Sequence, residues 1–249
     1  MSNLNANKPD GSAPHAISEY YDAASGVPAS GTIAFSDFHG TTAYAMGGNR
    51  AVFLGGDSTN IIDYVTITST GNATDFGDLL IQINTFGCAS NGTRGVTGGG
   101  IATSGTYPDT SGGFSQTMQY ITIGSPGNAS DFGDFYNIGG GDPNAYQTGG
   151  VSNGTRGVFA GGLKNAGLVN RMNYITISTT GNGTSFGSMS QQRKNAVGVS
   201  NETRGLFAGG NTYHQSPPVP VNTIDYITIA STGNATDFGD LSVTRERAA

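Results

Sequence analysis

One pattern occurs four times along the chain, and it limits the possible folds more than any other feature. Its first half ends in a glycine doublet, as in TRGVFAGG (155–162) and TRGLFAGG (203–210). Its second half is a run such as DYVTITSTGNATDFGDL (63–79), and its tyrosines are spaced by 56, 54 and 52 residues, at Tyr64, Tyr120, Tyr174 and Tyr226. A period of this length predicts a repeat architecture in which each unit buries its apolar face against a neighbour.

Each repeat predicts four short strands, a to d. Strand a, such as NAVGVSN (195–201), leads through a turn to strand b, such as RGLFAGG (204–210). Strand c alternates apolar and polar residues, as in IDYITIA (224–230), and a turn rich in Gly and Asn leads to strand d, DFGDL (237–241). Four antiparallel strands of this length are typical of one propeller blade, so the chain is predicted to be all-β.

The repeat resembles the blades of the kelch family. A Gly-Gly doublet ends strand b, a Tyr lies in strand c, and a large aromatic opens strand d; kelch blades usually have Trp there, whereas this chain has no Trp and uses Phe76, Phe132, Phe186 and Phe238. The resemblance implies a small four-bladed β-propeller over residues 41–249. Its blades would lie at about 41–79, 80–135, 136–189 and 190–241, and a tail at 242–249 would close against the first blade.

The two ends of the repeat region align with the same point of the pattern. Ala43 in the first repeat and Ala249 in the tail both match Val197. Because open sheet edges invite aggregation, this match predicts a closed ring. An open stack of four units, or blades shared between chains, is the alternative.

Residues 1–40 lie outside the repeats and are predicted to form an extended arm. The arm is either a disordered leader or an anchor that orders on a partner through Tyr20, Tyr21, Phe35 and Phe38. Its segment ISEYYDAASGVPASGTIAFSDFHG (17–40) resembles the N-terminal segment of structural proteins of tailed bacteriophages, particularly marine and cyanobacterial ones. The repeats are similar to propeller-like virion proteins of the same phages. The resemblance implies a component of a particle: a fibre, a spike, a tail or a head-decoration protein.

Charge and hydrophobicity exclude several partners. The formal net charge is −6, whereas phosphate binding needs a basic face, so we expect no nucleic-acid partner. No apolar run is long enough to predict membrane insertion. The first residues, MSNLNANKPDGSAPH, lack the basic start and apolar stretch of a signal peptide, so we expect the protein either to stay where it is made or to leave by a route such as virion release. The phage resemblance implies a location in the virion.

The residues that could carry chemistry are scattered. His15 and His39 lie in the arm and His214 in a loop of the fourth repeat, while Cys88 lies in strand a of the second repeat and is expected in the core. With no catalytic constellation, we predict a protein that is not an enzyme and needs no cofactor. A general scaffold for protein partners is the alternative, and a hydrolase of surface polysaccharide is the third possibility.

Several polar residues recur with the repeat. One Arg per repeat is predicted to brace the blade by bonding carbonyls or carboxylates, and the Asn-x-Ser/Thr sites are interpreted as turn chemistry. Paired aspartates in three of the repeats are interpreted as turns that accept backbone N–H bonds, with a Ca²⁺ site as the weaker reading. The arginines are Arg50, Arg94, Arg156 and Arg204, and the aspartates are Asp75, Asp78, Asp131, Asp134, Asp237 and Asp240.

Sequence variation concentrates on one side of the predicted blades. Between the glycine doublet and the Tyr, the four repeats have 7, 19, 11 and 15 residues. Aromatic side chains among Gly, Asn and Ser suit a recognition surface, although neutral drift of exposed loops would give the same pattern. We expect this variable-loop face and the arm to bind other virion proteins, and the loops to be candidates for host surface glycan. The candidate residues are Tyr107, Phe114, Tyr136, Tyr146, Tyr213 and His214.

Overall fold

Short alternating runs separated by glycine- and asparagine-rich turns fold into antiparallel ladders. The computed structural model describes residues 50–56, 59–84, 86–104, 115–135, 148–164, 167–213, 217 and 219–246. These residues form 19 β-strands and no helix, which confirms the all-β prediction. The same residues accordingly include no helix long and apolar enough to cross a membrane.

The first two repeats form separate sheets. In repeat 1 the strands are β1 (Arg50–Gly56), β2 (Thr59–Thr66) and β3 (Thr74–Asp78), in the order β1-β2-β3. The strand a predicted for this repeat falls at 41–48, outside the described residues. After β4 (Gln82–Asn84), repeat 2 consists of β5 (Gly87–Ser90), β6 (Arg94–Gly98), β8 (Thr117–Thr122) and β9 (Ser130–Asp134), in the order β5-β6-β8-β9. The strand β7 (Ile101–Ser104) leaves this sheet and pairs with β4.

Repeats 3 and 4 repeat the four-stranded plan. Repeat 3 consists of β10 (Gly149–Ser152), β11 (Arg156–Ala160), β14 (Arg171–Thr176) and β15 (Thr184–Ser188), and its b–c loop carries the small hairpin β12 (Leu163–Lys164) and β13 (Gly167–Leu168). Repeat 4 consists of β16 (Val197–Ser200), β17 (Arg204–Ala208), β18 (Thr223–Thr228) and β19 (Thr236–Asp240). The predicted strands a to d are therefore confirmed in repeats 2, 3 and 4.

The hydrophobic core is divided among the contacts between consecutive repeats, each of which we call a joint. Repeats 1 and 2 enclose a cluster that includes Phe76 and Ile123. Repeats 2 and 3 enclose one around Phe132 and Ile177. The cluster between repeats 3 and 4 includes Phe186, Phe207, Ile227 and Ile229. The sheets of repeats 1, 2 and 3 thus each bury an apolar face against the following repeat, as expected for a stacked repeat protein.

Glycines set the spacing of the stack where the strands a approach one another. A Cβ atom on Gly150 in β10 would overlap the backbone of Cys88 in β5. A Cβ atom on Gly198 in β16 would in turn overlap the carbonyl group of Gly150. The three strands a therefore pack backbone against backbone, and any side chain at Gly150 or Gly198 would push two repeats apart.

Each joint also covers the outer edge of strand d. At the joint of repeats 3 and 4, the carbonyl of Phe186 accepts from Gly233 N–H at 2.8 Å, and the carbonyl of Ser188 accepts from Ala235 N–H at 2.8 Å. The N–H of Ser188 donates to Asn234 Oδ1 at 3.1 Å. Asn128 and Asn182 accept the equivalent bonds from Asp78 and Asp134 at 3.0 Å in the other two joints. The c–d turn of one repeat thereby protects the sheet edge of the repeat before it.

Three such joints exist within the described residues. There, repeat 4 shares neither a hydrophobic cluster nor an edge-covering turn with repeat 1. The four-stranded antiparallel sheets are thus observed, while their closure into a four-bladed ring stays a prediction.

Candidate functional site

The arginine that recurs in every repeat lies on the tyrosine of the same repeat. The Arg guanidinium carbon is 4.2 to 4.9 Å from the centre of the Tyr ring, and the Tyr ring meets the strand d Phe edge to face, with 6.0 or 6.1 Å between ring centres. In repeats 1 to 3 the Arg also donates to a carbonyl of the next repeat: Arg50 to Ile123 at 2.8 Å, Arg94 to Ile177 at 3.1 Å and Arg156 to Ile229 at 3.0 Å. The predicted bracing role is confirmed for these three arginines, and the carbonyl belongs to the following repeat.

The paired aspartates lie in strand d of their repeats. Asp131 Oδ1 accepts from Gly133 N–H at 3.1 Å, and Asp237 Oδ1 accepts from Gly239 N–H at 3.2 Å. The predicted role as an acceptor of backbone N–H bonds is confirmed for Asp131 and Asp237, but the predicted turn is wrong for both, because they lie within strands β9 and β19. Among the described residues, no three His, Cys, Asp or Glu side chains come close enough together to hold a metal ion.

The asparagines of the Asn-x-Ser/Thr sites have two different roles. In the a–b turns, Asn153 Oδ1 accepts from Thr155 N–H at 3.1 Å and from Arg156 N–H at 2.8 Å, and Asn91 and Asn201 do the same. These three confirm the turn interpretation. In the c–d turns, Asn128, Asn182 and Asn234 bond the preceding repeat instead, which sequence reasoning missed because a local turn explained the same residues.

The structure describes one of the variable-loop candidates. Tyr213 follows the glycine doublet of repeat 4, and 36% of its surface is exposed. The remaining loop candidates, Tyr107, Phe114, Tyr136, Tyr146 and His214, lie outside the described residues, as do the arm candidates Tyr20, Tyr21, Phe35 and Phe38.

Asn211 holds the root of the loop that carries Tyr213. Its buried side-chain oxygen accepts from Tyr213 N–H at 2.8 Å and from Val219 N–H at 3.1 Å, so it ties the two ends of the loop together. Its amide nitrogen donates to Glu246 Oε2 at 2.8 Å, and its backbone exchanges two bonds with Lys194. Asn211 therefore fixes the two described ends of the loop relative to each other.

A buried ion pair lies beside this root. Arg193 Nη2 is 3.0 Å from Asp225 Oδ2, and both side chains are fully buried. Arg193 also donates to the carbonyls of Phe207 at 2.9 Å and Thr223 at 3.2 Å. Burial lowers the pKa of Arg193, and the charge of Asp225 opposes that shift. The pair joins the segment after strand d of repeat 3 to strands b and c of repeat 4, and it rigidifies the base of the loop.

Cys88 is placed where it has little reactivity. The residue reaches the surface in β5, yet the protein packed around the thiol desolvates it and raises its pKa to about 12. At neutral pH the side chain is therefore a thiol rather than the nucleophilic thiolate. The expected core position is corrected in part, since the residue is not sealed from solvent.

No model of a known protein family matches the chain, and no curated protein matches it. The family resemblances drawn from the repeat and the arm therefore stay predictions.

Proposed function

We propose that the chain is a non-catalytic structural or binding component of a bacteriophage particle, built from kelch-like blades. The observation that most supports this proposal is that the recurring polar residues bond one repeat to the next. Arg50, Arg94 and Arg156 and the asparagines of the c–d turns hold one repeat to the next. Because the side chains that recur in every repeat hold the repeats together, the loops that differ between repeats are the better candidates for recognition.

A four-bladed propeller belongs to the same proposal. It requires a fourth joint, between repeats 4 and 1 of the same chain, on the pattern of the three described above. An open stack of four repeats is the alternative, in which the two end faces are left for other partners. The role in a particle is a fibre, spike, tail or head-decoration protein, with the arm and the variable-loop face as the contact surfaces to other virion proteins.

The particle assignment is tested on the phage whose genome encodes this chain. Gradient-purified particles are analysed by quantitative mass spectrometry, and antibody raised against the recombinant chain locates it by immunogold electron microscopy. We expect the chain at a fixed copy number per particle and gold at one part of the virion. If the chain is abundant in the lysate but absent from the purified particles, the assignment is wrong and an interaction scaffold becomes the better explanation.

Glycan recognition is the second candidate, and the loop of repeat 4 favours it. Tyr213 presents an aromatic ring from a loop fixed by Asn211, and aromatic rings stack on the faces of sugars. Binding of purified host surface polysaccharide is measured by calorimetry for the full chain, for Tyr213→Ala and for Tyr213→Phe. We expect the Ala variant to lose affinity and the Phe variant to keep it. Equal affinity for all three would remove Tyr213 from any glycan site.

A further inference from the structure

The two ends of the stack expose faces that are buried in every internal joint. In repeat 4, 51% of Phe238 is exposed, whereas its counterpart Phe186 is 3% exposed. In repeat 1, 68% of Ile67 is exposed, whereas its counterpart Ile229 is fully buried. We call the open surface of repeat 1 the head face and that of repeat 4 the tail face. The head face comprises Phe53, Asp63, Ile67 and residues 71–73, and the tail face comprises Val199, Arg204, Phe238, Asp240 and Arg245.

The head face carries the same edge-covering turn as the internal joints. Residues 69–74 read STGNAT, identical to residues 231–236, whose Gly233, Asn234 and Ala235 cover strand d of repeat 3. In the head face this turn is exposed, and Asn72 has no bond to any described residue. In the tail face the strand d edge at Phe238 and Asp240 has no covering turn among the described residues. The head face thus has a turn that covers no strand edge, and the tail face has a strand d edge that no turn covers.

The charges of the two faces also match. Arg245 occupies the position in repeat 4 that Arg193 occupies in repeat 3, and Asp63 occupies the position in repeat 1 that Asp225 occupies in repeat 4. Arg193 and Asp225 form the buried ion pair of the last internal joint. The first joint instead places Gln119 there, whose side-chain oxygen accepts from Leu80 and Ile81 N–H at 2.6 and 3.2 Å. The tail and head faces therefore repeat the specific charge pair of the joint between repeats 3 and 4.

A further donor in the tail face lacks its acceptor. Arg204 lies over Tyr226 like its counterparts, but it is exposed and donates to no carbonyl of the described residues. The carbonyl that corresponds to the acceptors of the other arginines is that of Ile67, in the head face.

One position departs from the internal pattern. Strand a packs on a glycine of the next strand b: a Cβ on Gly157 would lie 2.7 Å from Ala89 Cβ, and one on Gly205 would lie 2.6 Å from Val151 Cγ2. The head face has Ala51 at the position of Gly157 and Gly205, and the tail face has Val199 at the position of Val151, so the two would meet in a joint of the same kind. A joint between the two faces must therefore open slightly at this point, which weakens it relative to the internal joints.

We infer that the tail face of one copy binds the head face of a second copy, in a head-to-tail joint that repeats the one between repeats 3 and 4. Among the described residues of one chain the two faces are open while the three internal joints form. The inference therefore takes the open stack of four repeats and not the closed ring, and the surface of matching sequence is offered by another copy. The contact is heterologous, and it produces a closed ring of chains or a filament according to the rotation per copy. This inference concerns self-association alone and does not depend on the proposed role in a particle.

The test uses charge reversal at the two faces of the full-length chain. Sedimentation velocity is measured against concentration for the wild type, Asp63→Arg, Arg245→Asp and an equimolar mixture of the two variants. Asp63→Arg opposes Arg245 with a like charge, and Arg245→Asp does the same to Asp63. In the mixture, Arg at position 63 of one copy faces Asp at position 245 of the other. Glu202→Arg is the matched control, because its internal counterparts are Gly92 and Gly154, which have no side chain.

We expect the wild type and Glu202→Arg to associate as concentration rises. For each face variant alone, the dissociation constant should rise at least about tenfold. The mixture should recover association, because the opposite charges then meet between different copies. Ala51→Gly should associate about tenfold more tightly than the wild type, because it removes the close contact with Val199. Thermal unfolding of each variant at low concentration confirms that the repeats are folded.

Three results would overturn the inference. A wild type that is monomeric at every concentration would mean that the faces are covered within one chain. Face variants that associate as well as the wild type would place the contact elsewhere. A mixture of the two face variants that associates no better than either variant alone would mean that positions 63 and 245 do not meet between copies.

Discussion

The amide N–H of Gly233 donates to the carbonyl oxygen of Phe186 at 2.8 Å, across the joint between repeats 3 and 4. Gly127 and Gly181 make the same bond to Phe76 and Phe132, each at 2.7 Å. The sheet edge of one repeat is thus completed by a turn that belongs to the next. Stability in such a chain is expected to follow from each repeat and its neighbours, not from one central core.

The edge-covering asparagines give a matched pair of substitutions. Asn182→Ala removes the side-chain oxygen that accepts from Asp134 N–H at 3.0 Å, and it should destabilise the chain by about 1 kcal/mol. Asn72→Ala changes the same turn in repeat 1, where the side chain bonds no described residue, and it should leave stability unchanged. Urea unfolding at low protein concentration measures both. Equal shifts of the midpoint would show that the bond across the joint contributes nothing.

The buried ion pair makes Asp225 sensitive to substitution. Asp225→Asn leaves the fully buried charge of Arg193 without its partner and should cost about 3–5 kcal/mol. Asp63→Asn alters the counterpart in the head face, where no Arg of the described residues bonds it, and should have little effect on unfolding at low concentration. Replacing both members, as Arg193→Met with Asp225→Leu, should recover much of the loss because no charge is then buried. A double variant as unstable as Asp225→Asn would contradict this account.

The close approach of the strands a predicts that Gly150 tolerates no side chain. Gly150→Ala would drive a Cβ atom into the backbone of Cys88, so repeats 2 and 3 would have to separate. We expect a large fall in the unfolding temperature and a loss of protection from hydrogen exchange in β5 and β10. Gly124→Ala is the control, because no atom lies within 4 Å of the added Cβ. If the two substitutions have equal effects, the spacing of the stack is not set by Gly150.

The thiol of Cys88 should react slowly at neutral pH. Its pKa is raised to about 12, so the thiolate fraction is small at pH 8 and grows only as the pH approaches 12. Iodoacetamide labelling of the folded chain should therefore be much slower than labelling of the urea-unfolded chain at the same pH. Similar rates in the two states would mean that water reaches the sulfur and that its pKa is close to the ordinary value.

The sequence predicted the elements that depend on local patterns. Alternation in runs such as IDYITIA, together with the Gly and Asn turns, was sufficient to predict strands a to d in repeats 2, 3 and 4. The bonds between repeats were not predictable in the same way. Asn182 bonds Asp134, which is 48 residues away, and the local turn around Asn182 already accounted for its presence.

The Arg193–Asp225 pair illustrates a second limit of prediction from one sequence. Arg193 lies in the polar run SQQRKN, which is typical of a solvated loop, yet its side chain is fully buried. Its burial follows from the packing of repeat 4 onto the segment after strand d of repeat 3, which involves residues 30 and 32 positions away. The charged partner becomes recognisable only when the repeats are superposed, because Arg245 and Asp63 then occupy the same two positions.

The turn that covers each strand d edge has a consequence for how chains of this kind can vary in length. Every joint uses one surface from the earlier repeat and one from the later repeat, so the gain or loss of a whole repeat by unequal recombination leaves both terminal faces unchanged. Gain or loss of a partial repeat would instead leave a face with nothing complementary to it. We therefore expect the lengths of related chains to differ by whole multiples of about one repeat period.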